Sequence, residues 1–166
     1  MFELLAVMIL LAFLLAWRWR RRESAWMPRE LRRAELAYAE KLFKARGPVT
    51  LTAKVDRAYR RRDGVIVLVE LKTRRGHRHY PSDVIELSAQ RGAIMKETGE
   101  TVALRAYVLV QDLSRRRTVH RVDLLDEGQV DTLIERREAI LSGRLQPERA
   151  NSAKLCQTCV YKDRCL

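Results

Sequence analysis

Two neighbouring apolar segments carry the most constraining pattern in the chain. Asp56 lies in the first, LTAKVDRAYR, and Glu70, Leu71 and Lys72 lie in the second, VIVLVELKT. The run VIVLVEL is apolar at successive positions, which predicts a central strand buried on both faces. Because side chains alternate along a strand, Glu70 and Lys72 point to one face and Leu71 to the other. A buried carboxylate is unfavourable unless it is paired or bound to a metal.

The turn between these segments decides whether the two acids share a face. A two-residue turn at Asp63-Gly64 places Asp56 on the face away from Glu70. A three-residue loop over 62–64, with Gly64 in the left-handed conformation, sets Asp56 directly opposite Glu70. Cross-strand neighbours have Cβ atoms about 5 Å apart, close enough to share one metal ion. The metal site therefore requires the three-residue loop or a bulge.

In that register the Asp56 and Glu70 carboxylates and the Leu71 carbonyl form a hard oxygen site, suited to Mg²⁺ or Mn²⁺. Lys72 lies beside them, where it can orient or deprotonate an attacking water, or stabilise the charge that develops on a phosphoryl group. The alternative is a solvated hairpin whose surface carries an Asp, a Glu and a Lys.

The charge balance of the chain points to anionic partners. It has 166 residues, with 33 Lys and Arg against 21 Asp and Glu, a formal net charge of +12. Such a balance favours nucleic acid or an anionic membrane surface. The arginines cluster at 18–22, 57–62, 74–78 and 115–117. Two of these clusters flank the predicted metal site, although a solvated basic face is an alternative interpretation.

The amino-terminal residues 1–17 are apolar except for Glu3. As a helix this run spans roughly 25 Å, near the lower limit for crossing a bilayer, and arginines follow it at once. This order predicts a transmembrane anchor over 1–19 and a basic hinge over 20–28. The positive-inside rule then predicts a single-pass protein of the cell membrane, with the domain that follows in the cytoplasm.

Helical and strand patterns alternate over residues 28–141. A helix is expected from Pro28 to Gly47, with Glu35 in its apolar stripe and Glu40 near the polar edge. Glu35 is a candidate metal-shell or water-binding acid. In the middle helix Glu86 and Gln90 share a face, from which either reaches Lys72 or a substrate phosphate. Beyond the first helix the pattern predicts strands at 49–60 and 65–73, a helix at 83–98, strands at 101–112 and 117–125, and a helix at 127–141.

All three cysteines lie near the carboxy terminus, at Cys156, Cys159 and Cys165. Clustered thiolates in a cytoplasmic domain indicate metal binding rather than disulfides. Three is one fewer than the usual four for an iron–sulfur cluster or a structural zinc. Residues 146–166 are therefore interpreted as a metal-binding tail, with iron–sulfur, zinc and an empty site left open.

Together these motifs resemble the PD-(D/E)xK nuclease superfamily, in particular its RecB-like, CRISPR-associated exonuclease branch. The resemblance implies an α/β restriction-endonuclease-like core over 29–145, between an N-terminal transmembrane helix and a C-terminal cysteine tail. It implies that Asp56 and Glu70 bind the metal and that Lys72 serves the water. Gln90 would support the site and Glu35 would match the acid of the first helix. The tail resembles that branch's iron–sulfur ligands, but the branch uses a further upstream Cys that this chain lacks.

Two functions from different classes follow. The first is a membrane-anchored, metal-dependent nuclease that hydrolyses phosphodiester bonds in DNA. The second is a catalytically degenerate, basic module, tethered to the membrane, that binds nucleic acid or another protein. Convergence of Asp56, Glu70 and Lys72 on one face favours the enzyme, and their separation favours the module.

Overall fold

The computed structural model describes residues 26–148 continuously and, outside that range, Met8, Leu11, Phe13, residues 152–157, 159–160 and Lys162. The chain divides into two compact units, Met1–Asp126 and Glu127–Leu166. The first contains β1 (Glu35–Ala45), β2 (Leu51–Arg60), β3 (Ile66–Thr73), α1 (Pro81–Thr98), β4 (Arg105–Gln111) and β5 (Arg117–Asp123). The second contains α2 (Glu127–Leu141) and α3 (Ala153–Gln157).

The five strands form one sheet in the order β1-β2-β3-β4-β5. All neighbours are antiparallel except β3 and β4, which run parallel. Parallel neighbours need a crossover connection, and α1 provides it. The carboxyl ends of β3 and β4 therefore lie at the same edge of the sheet, where Arg74 N–H donates to the Gln111 carbonyl (3.1 Å).

The central strand β3 is buried on both faces, as its apolar run predicts. Ile66 and Leu68 belong to a core cluster that includes Leu87 and Ile94 of α1. Val67 and Val69 belong to a second cluster on the other face. Partners in that second cluster include Leu31, Tyr59, Tyr107 and Leu109, with Trp26 and Met27 packed against them.

The predicted three-residue loop between β2 and β3 is confirmed. Arg57 pairs with Val69 and Arg60 with Ile66. Arg61 N–H then donates to the Val65 carbonyl (2.9 Å). Gly64 has φ 82°, which is a left-handed conformation. Glycine adopts it readily, whereas any residue with a Cβ atom is strained there. Continuing the same register places the Asp56 position opposite the Glu70 position.

The helix expected from Pro28 to Gly47 is wrong, because residues 35–45 form β1 instead. The segment is rich in Ala, Leu, Glu and Lys, which favour helices when a chain is read locally. Long-range pairing overrides that preference, since β1 pairs with β2 as far as Ala45 and Leu51. Phe43 and Ala45, two residues apart, are both buried, as a strand requires. Pro28 begins a turn that is closed by Leu31 N–H donating to its carbonyl (2.9 Å).

The other elements agree with the sequence prediction to within a few residues. α2 has the predicted bounds, and α1 begins two residues before the predicted Asp83. Gly99 ends α1 with φ 73°, and its N–H donates to the Met95 carbonyl (3.0 Å). β4 begins four residues later and ends one residue earlier than predicted, and β5 ends two residues earlier.

The predicted membrane-spanning helix requires correction. Among the residues that the structure describes, no helix is both long enough and apolar enough to cross a bilayer. Of the predicted anchor at 1–19, only Met8, Leu11 and Phe13 are described, and the rest lies outside the described residues. The predicted single-pass location in the cell membrane depended on this helix alone, so that prediction is wrong as well.

Candidate active site

The two predicted acids lie where β2 and β3 separate. Pairing between these strands ends at Arg57 and Val69. From Val69 to Thr73, β3 pairs with β4 instead. Asp56 directly precedes Arg57 and Glu70 directly follows Val69, so the two acids lie at the opening of a fork in the sheet.

Asp56 crosses this fork with its side chain. Its Oδ2 accepts a hydrogen bond from the Leu71 backbone N–H (2.9 Å). Val55 and Ala58 both belong to the core cluster on the α1 side. Because they are three residues apart, the strict alternation of β2 breaks between them, next to Asp56. The irregularity allows the carboxylate to reach the β3 backbone.

Glu70 is almost completely buried, with 2 % of its surface exposed. Its Oε1 lies 2.6 Å from Lys72 Nζ, and its Oε2 accepts a hydrogen bond from Gln90 Nε2 (2.8 Å). Burial raises the pKa of Glu70, while the bonds from Lys72 and Gln90 oppose that rise. The negative charges of Asp56 and Glu86 raise this pKa further. Glu70 is therefore a carboxylate held close to other carboxylates in a poorly solvated position.

Lys72 pairs with two acids, Glu70 on its own strand β3 and Glu86 on α1. Besides Glu70, its Nζ donates to Glu86 Oε2 on α1 (2.7 Å). Of the two residues expected to reach either Lys72 or a substrate phosphate, Glu86 contacts Lys72, whereas Gln90 contacts Glu70 and the Lys54 carbonyl. Burial alone would lower the pKa of Lys72, but the bonds to Glu70 and Glu86 outweigh it and raise the pKa above its ordinary value. The side chain therefore remains a protonated ammonium at neutral pH.

Gln90 ties the fork together from the α1 side. It is buried, and its Nε2 donates both to Glu70 on β3 and to the Lys54 carbonyl on β2 (3.0 Å). These two acceptors fix the amide orientation, because only the nitrogen can donate to both. Gln90 Oε1 is then left buried with no hydrogen-bond partner among the described residues, an arrangement that costs free energy.

The donor chemistry of this cluster fits a hard cation. The described residues contain no group of three His, Cys, Asp or Glu side chains arranged to hold a metal. The predicted ligand set needs only the two carboxylates of Asp56 and Glu70 and the Leu71 carbonyl. The raised pKa of Glu70 and the unsatisfied oxygen of Gln90 are both features that a nearby cation would relieve. All of these groups are oxygen donors of the kind that Mg²⁺ and Mn²⁺ prefer.

Of the other predicted site residues, Glu35 is placed differently from the prediction. Glu35 lies exposed on β1, opposite Arg60 near the hairpin, so the structure does not bring it to the Asp56 and Glu70 cluster. The helix that was expected to carry it there is a strand. Cys156 and Cys159 are drawn together by a backbone hydrogen bond from Cys159 N–H to the Cys156 carbonyl (3.3 Å). Cys165 lies outside the described residues.

Sequence reasoning missed the buried ion pair behind the site. Asp83 is buried and accepts hydrogen bonds from Arg74 (2.9 and 3.2 Å) and from the Tyr80 N–H at the start of α1 (2.8 Å). Burial alone would raise the pKa of Asp83, but Arg74 and the Tyr80 N–H outweigh it and lower the pKa. An acidic residue at the start of a helix signals a cap, but only tertiary structure shows its pairing with Arg74.

The loops at the carboxyl edge of the sheet are basic and rich in histidine. The His79 and His120 rings lie 5.0 Å apart, and His120 Nε2 contacts the His77 carbonyl. His77 also pairs with Asp112 (3.4 Å). The three histidines, scattered in sequence, are thus gathered beside the arginines of 74–78 and 115–117 at the edge where β3 ends.

A five-stranded mixed sheet with a crossover helix, and acids at a fork in its centre, defines a restriction-endonuclease-like α/β core. The family model of the PD-(D/E)XK nuclease superfamily matches residues 4–166, so the chain belongs to that superfamily. A comparison with curated protein sequences gives no match.

A solved structure shares the fold. The crystal structure of SSO0001 is similar with a TM-score of 0.52 and 18 % sequence identity, over 93 % of this chain and 69 % of that one. A candidate exonuclease from Eubacterium rectale is similar with a TM-score of 0.45 and 12 % identity, over 74 % of this chain and 52 % of that one. The second similarity is too weak to carry an argument about this chain.

Proposed function

We propose that this protein is a metal-dependent nuclease that hydrolyses phosphodiester bonds in DNA. The observation that supports this most directly is the gathering of Asp56, Glu70, Lys72 and Gln90 at the fork between β2 and β3. A buried carboxylate with a raised pKa beside a second acid is costly to the fold, and such arrangements concentrate at functional sites.

In this proposal Asp56, Glu70 and the Leu71 carbonyl would hold Mg²⁺ or Mn²⁺, which would supply Lewis acidity at the scissile phosphate and a more acidic bound water. The residues of the chain have separate tasks. Gln90 fixes the rotamer of Glu70, and Asp56 is fixed by the Leu71 N–H. Lys72, as a protonated ammonium, donates hydrogen bonds to a phosphoryl oxygen and stabilises negative charge that develops there.

The basic loops beyond the ends of β3 and β4 account for substrate binding. The arginines of 74–78 and 115–117 lie at the edge of the sheet to which the fork opens. Contacts from arginine to phosphate hold nucleic acid without reading its sequence. Binding through these loops is therefore expected to weaken steeply with salt.

The decisive experiment is degradation of labelled DNA by the purified full chain with Mg²⁺, Mn²⁺ or excess chelator. We expect activity with either metal, none with chelator, and a loss of about 10³-fold or more in Glu70→Gln and Lys72→Ala. Glu40→Gln is a matched control, because Glu40 also pairs with a lysine, Lys54 (2.5 Å), but is exposed. It should retain wild-type activity.

The basic binding module is the alternative outcome of the same experiment. It predicts DNA binding that depends on salt, without cleavage under any metal condition. Full cleavage by Glu70→Gln, or cleavage in chelator, would contradict the proposed metal site even if the protein is a nuclease.

Gln90 is proposed as a positioning residue rather than a catalytic one. Gln90→Ala removes the bridge between Glu70 and the Lys54 carbonyl, and we expect activity to fall about 10–100-fold, as for partners that orient metal ligands. The metal concentration for half-maximal activity should rise in parallel. A purely structural role would lower Tm without moving that concentration.

The cysteine tail is proposed as a separate metal centre of Cys156, Cys159 and Cys165. The turn from Cys156 to Cys159 supports it, because the two cysteines of the C-x-x-C motif lie within a single hydrogen-bonded turn. Metal analysis of anaerobically purified protein tests this proposal. Iron with sulfide indicates a cluster, zinc indicates a structural site, and neither metal in undamaged protein contradicts it.

A further inference from the structure

A small cavity lies beside the second half of β3, where Leu71 points to the face of the sheet opposite Glu70. Its volume is about 160 Å³, roughly half the lower limit for pockets that hold drug-sized ligands. It is therefore large enough for a fragment of a ligand rather than for a whole dinucleotide. The residues used below are Trp26, Arg57, Leu71, Leu109, Gln111 and Arg117, which line it together with Lys72 and Thr73.

Arg57 is the unusual residue of this cavity. It is half-buried, yet its guanidinium makes no hydrogen bond or ion pair to any residue that the structure describes. Nearby arginines differ, since Arg60 pairs with Glu100 and Arg74 with Asp83. A half-buried guanidinium without a partner is costly, so an anion from outside the chain is the expected partner.

A second arginine and an amide complete a polar wall. Arg117 Nε donates to Gln111 Oε1 (2.9 Å), which fixes the guanidinium plane and leaves its terminal nitrogens available. Two guanidinium groups at one small cavity match the geometry with which arginine binds phosphate. None of the described residues that line the cavity carries a carboxylate, so none of them competes with an anionic ligand.

The opposite wall is apolar and partly aromatic. Trp26 packs against the second core cluster, beside Leu71 and the buried Leu109. An indole next to arginines is the combination with which proteins hold single-stranded nucleic acid, because a base stacks on the ring while its phosphate meets the cations. A paired base within a duplex has no free face to offer.

We propose that this cavity, the back pocket, binds one unpaired nucleotide of a single-stranded segment of the substrate. The proposal rests on the nuclease function and names its substrate class. Arg57 follows Asp56 in β2, and Leu71 lies between Glu70 and Lys72 in β3, so the pocket and the active site share the same two strand segments. Lys72 lines the pocket as well. Arg57 and Arg117 hold the phosphate, and Trp26 stacks on the base.

Binding of a short oligothymidylate to the full chain, followed by tryptophan fluorescence in excess chelator, tests the back pocket without cleavage. We expect quenching that Trp26→Phe abolishes and that the Trp17→Phe/Trp19→Phe double variant retains. Arg57→Gln should weaken binding of the single strand about tenfold. Binding of a blunt duplex should change less than twofold.

Arg105→Gln is the matched control, because it removes the same charge from an exposed residue at the other end of the sheet, where it faces Asp123 (3.6 Å). Equal losses in Arg57→Gln and Arg105→Gln, or equal losses for single strand and duplex, would overturn the back pocket. Quenching that survives in Trp26→Phe would do the same.

Failure of the proposed nuclease is distinguishable from failure of the pocket. A protein that cleaves no DNA but shows the Trp26 and Arg57 effects retains the pocket and loses the enzyme. A protein that cleaves DNA with wild-type preference in Arg57→Gln, and whose fluorescence does not respond to single strands, retains the enzyme and loses the pocket.

Discussion

The two halves of β3 are adjacent in sequence, but they differ in strand partner and in the polarity of their side chains. Ile66 to Val69 pair with β2, and their side chains fill the cores on both faces. Glu70 to Thr73 have lost β2 and pair with β4, and they carry a buried acid and a lysine. The first half contributes stability, whereas the second keeps charge in a place where water would solvate it better. The fold bears that cost where chemistry is proposed.

Replacement of an apolar residue in the first half should have the largest effect on folding. Leu68→Ala empties a site that is 1 % exposed, and we expect the free energy of unfolding to fall by about 2–5 kcal/mol. Chemical denaturation with urea measures it. Leu42→Ala is the control, since Leu42 is 50 % exposed and should cost much less. Equal losses would mean that the core of β3 is not where the stability lies.

The buried ion pair next to the second half tests whether charge there is always costly. Asp83 has a lowered pKa, so it stabilises the fold above its ordinary value of 3.8 and loses that effect as pH falls through the folded value. Asp83→Asn should cost about 1–3 kcal/mol at neutral pH. The difference from wild type should shrink as pH falls below 3.8.

Asp63→Asn is the matched control for Asp83. Asp63 also pairs with an arginine and accepts a backbone N–H, that of Val65 (3.2 Å), but it is exposed. Its effect on thermal stability should be small at every pH. A difference between wild type and Asp83→Asn that does not change with pH would show that the loss comes from packing rather than from charge.

Glu70 should behave in the opposite sense to Asp83. Its pKa is raised, so the folded state binds more protons than the unfolded state above the ordinary value of 4.5, and stability falls as pH rises through the folded value. In metal-free protein at neutral pH, Glu70→Gln should therefore raise Tm, by about 2–4 °C. Added Mn²⁺ should stabilise the wild type and not the variant.

Glu40→Gln is the control for Glu70→Gln. It also removes an ion pair with a lysine, but the carboxylate that it replaces is exposed. It should not raise Tm. A lower Tm in Glu70→Gln would mean that the ion pair with Lys72 outweighs the cost of burial, and would reverse the contrast between the halves of β3.

A pair of glycine substitutions gives the smallest and most specific test of the hairpin end. Gly64→Ala places a Cβ at φ 82° and should cost about 1 kcal/mol. Gly92→Ala lies within α1, where the new Cβ would sit 3.6 Å from Leu51 Cδ2, an ordinary contact. It should stabilise by about 1 kcal/mol through helix propensity. Opposite signs in thermal melts confirm the loop geometry.

Sequence patterns predicted the elements that depend mainly on neighbouring residues. The loop ending at Gly64 followed from strand parity, and the bounds of α2 from helix signals. The strand β1 was missed because its residues favour a helix and only pairing with β2 makes it a strand. That error carried Glu35 into the predicted site, although the structure leaves it near the hairpin.

The hydrogen bonds of the candidate site could not be predicted from the sequence, because they depend on tertiary structure. Parity placed Asp56 and Glu70 together, but the bond from the Leu71 N–H to Asp56 depends on the break in β2 alternation. The ties from Gln90 and Glu86 to β3 depend on how α1 lies over the sheet. Hydropathy at residues 1–17 predicted a membrane helix, and the described residues contain no such helix.

The Leu71 amide provides a spectroscopic view of the fork. Because its acceptor is a side-chain oxygen of Asp56 rather than a backbone carbonyl, its protection from hydrogen exchange depends on one carboxylate. Asp56→Ala should make this amide exchange quickly while the neighbouring amides of β3 stay slow. In a nitrogen–proton correlation spectrum the Leu71 amide resonance would then report on the Asp56 carboxylate, to which this amide is directly hydrogen-bonded.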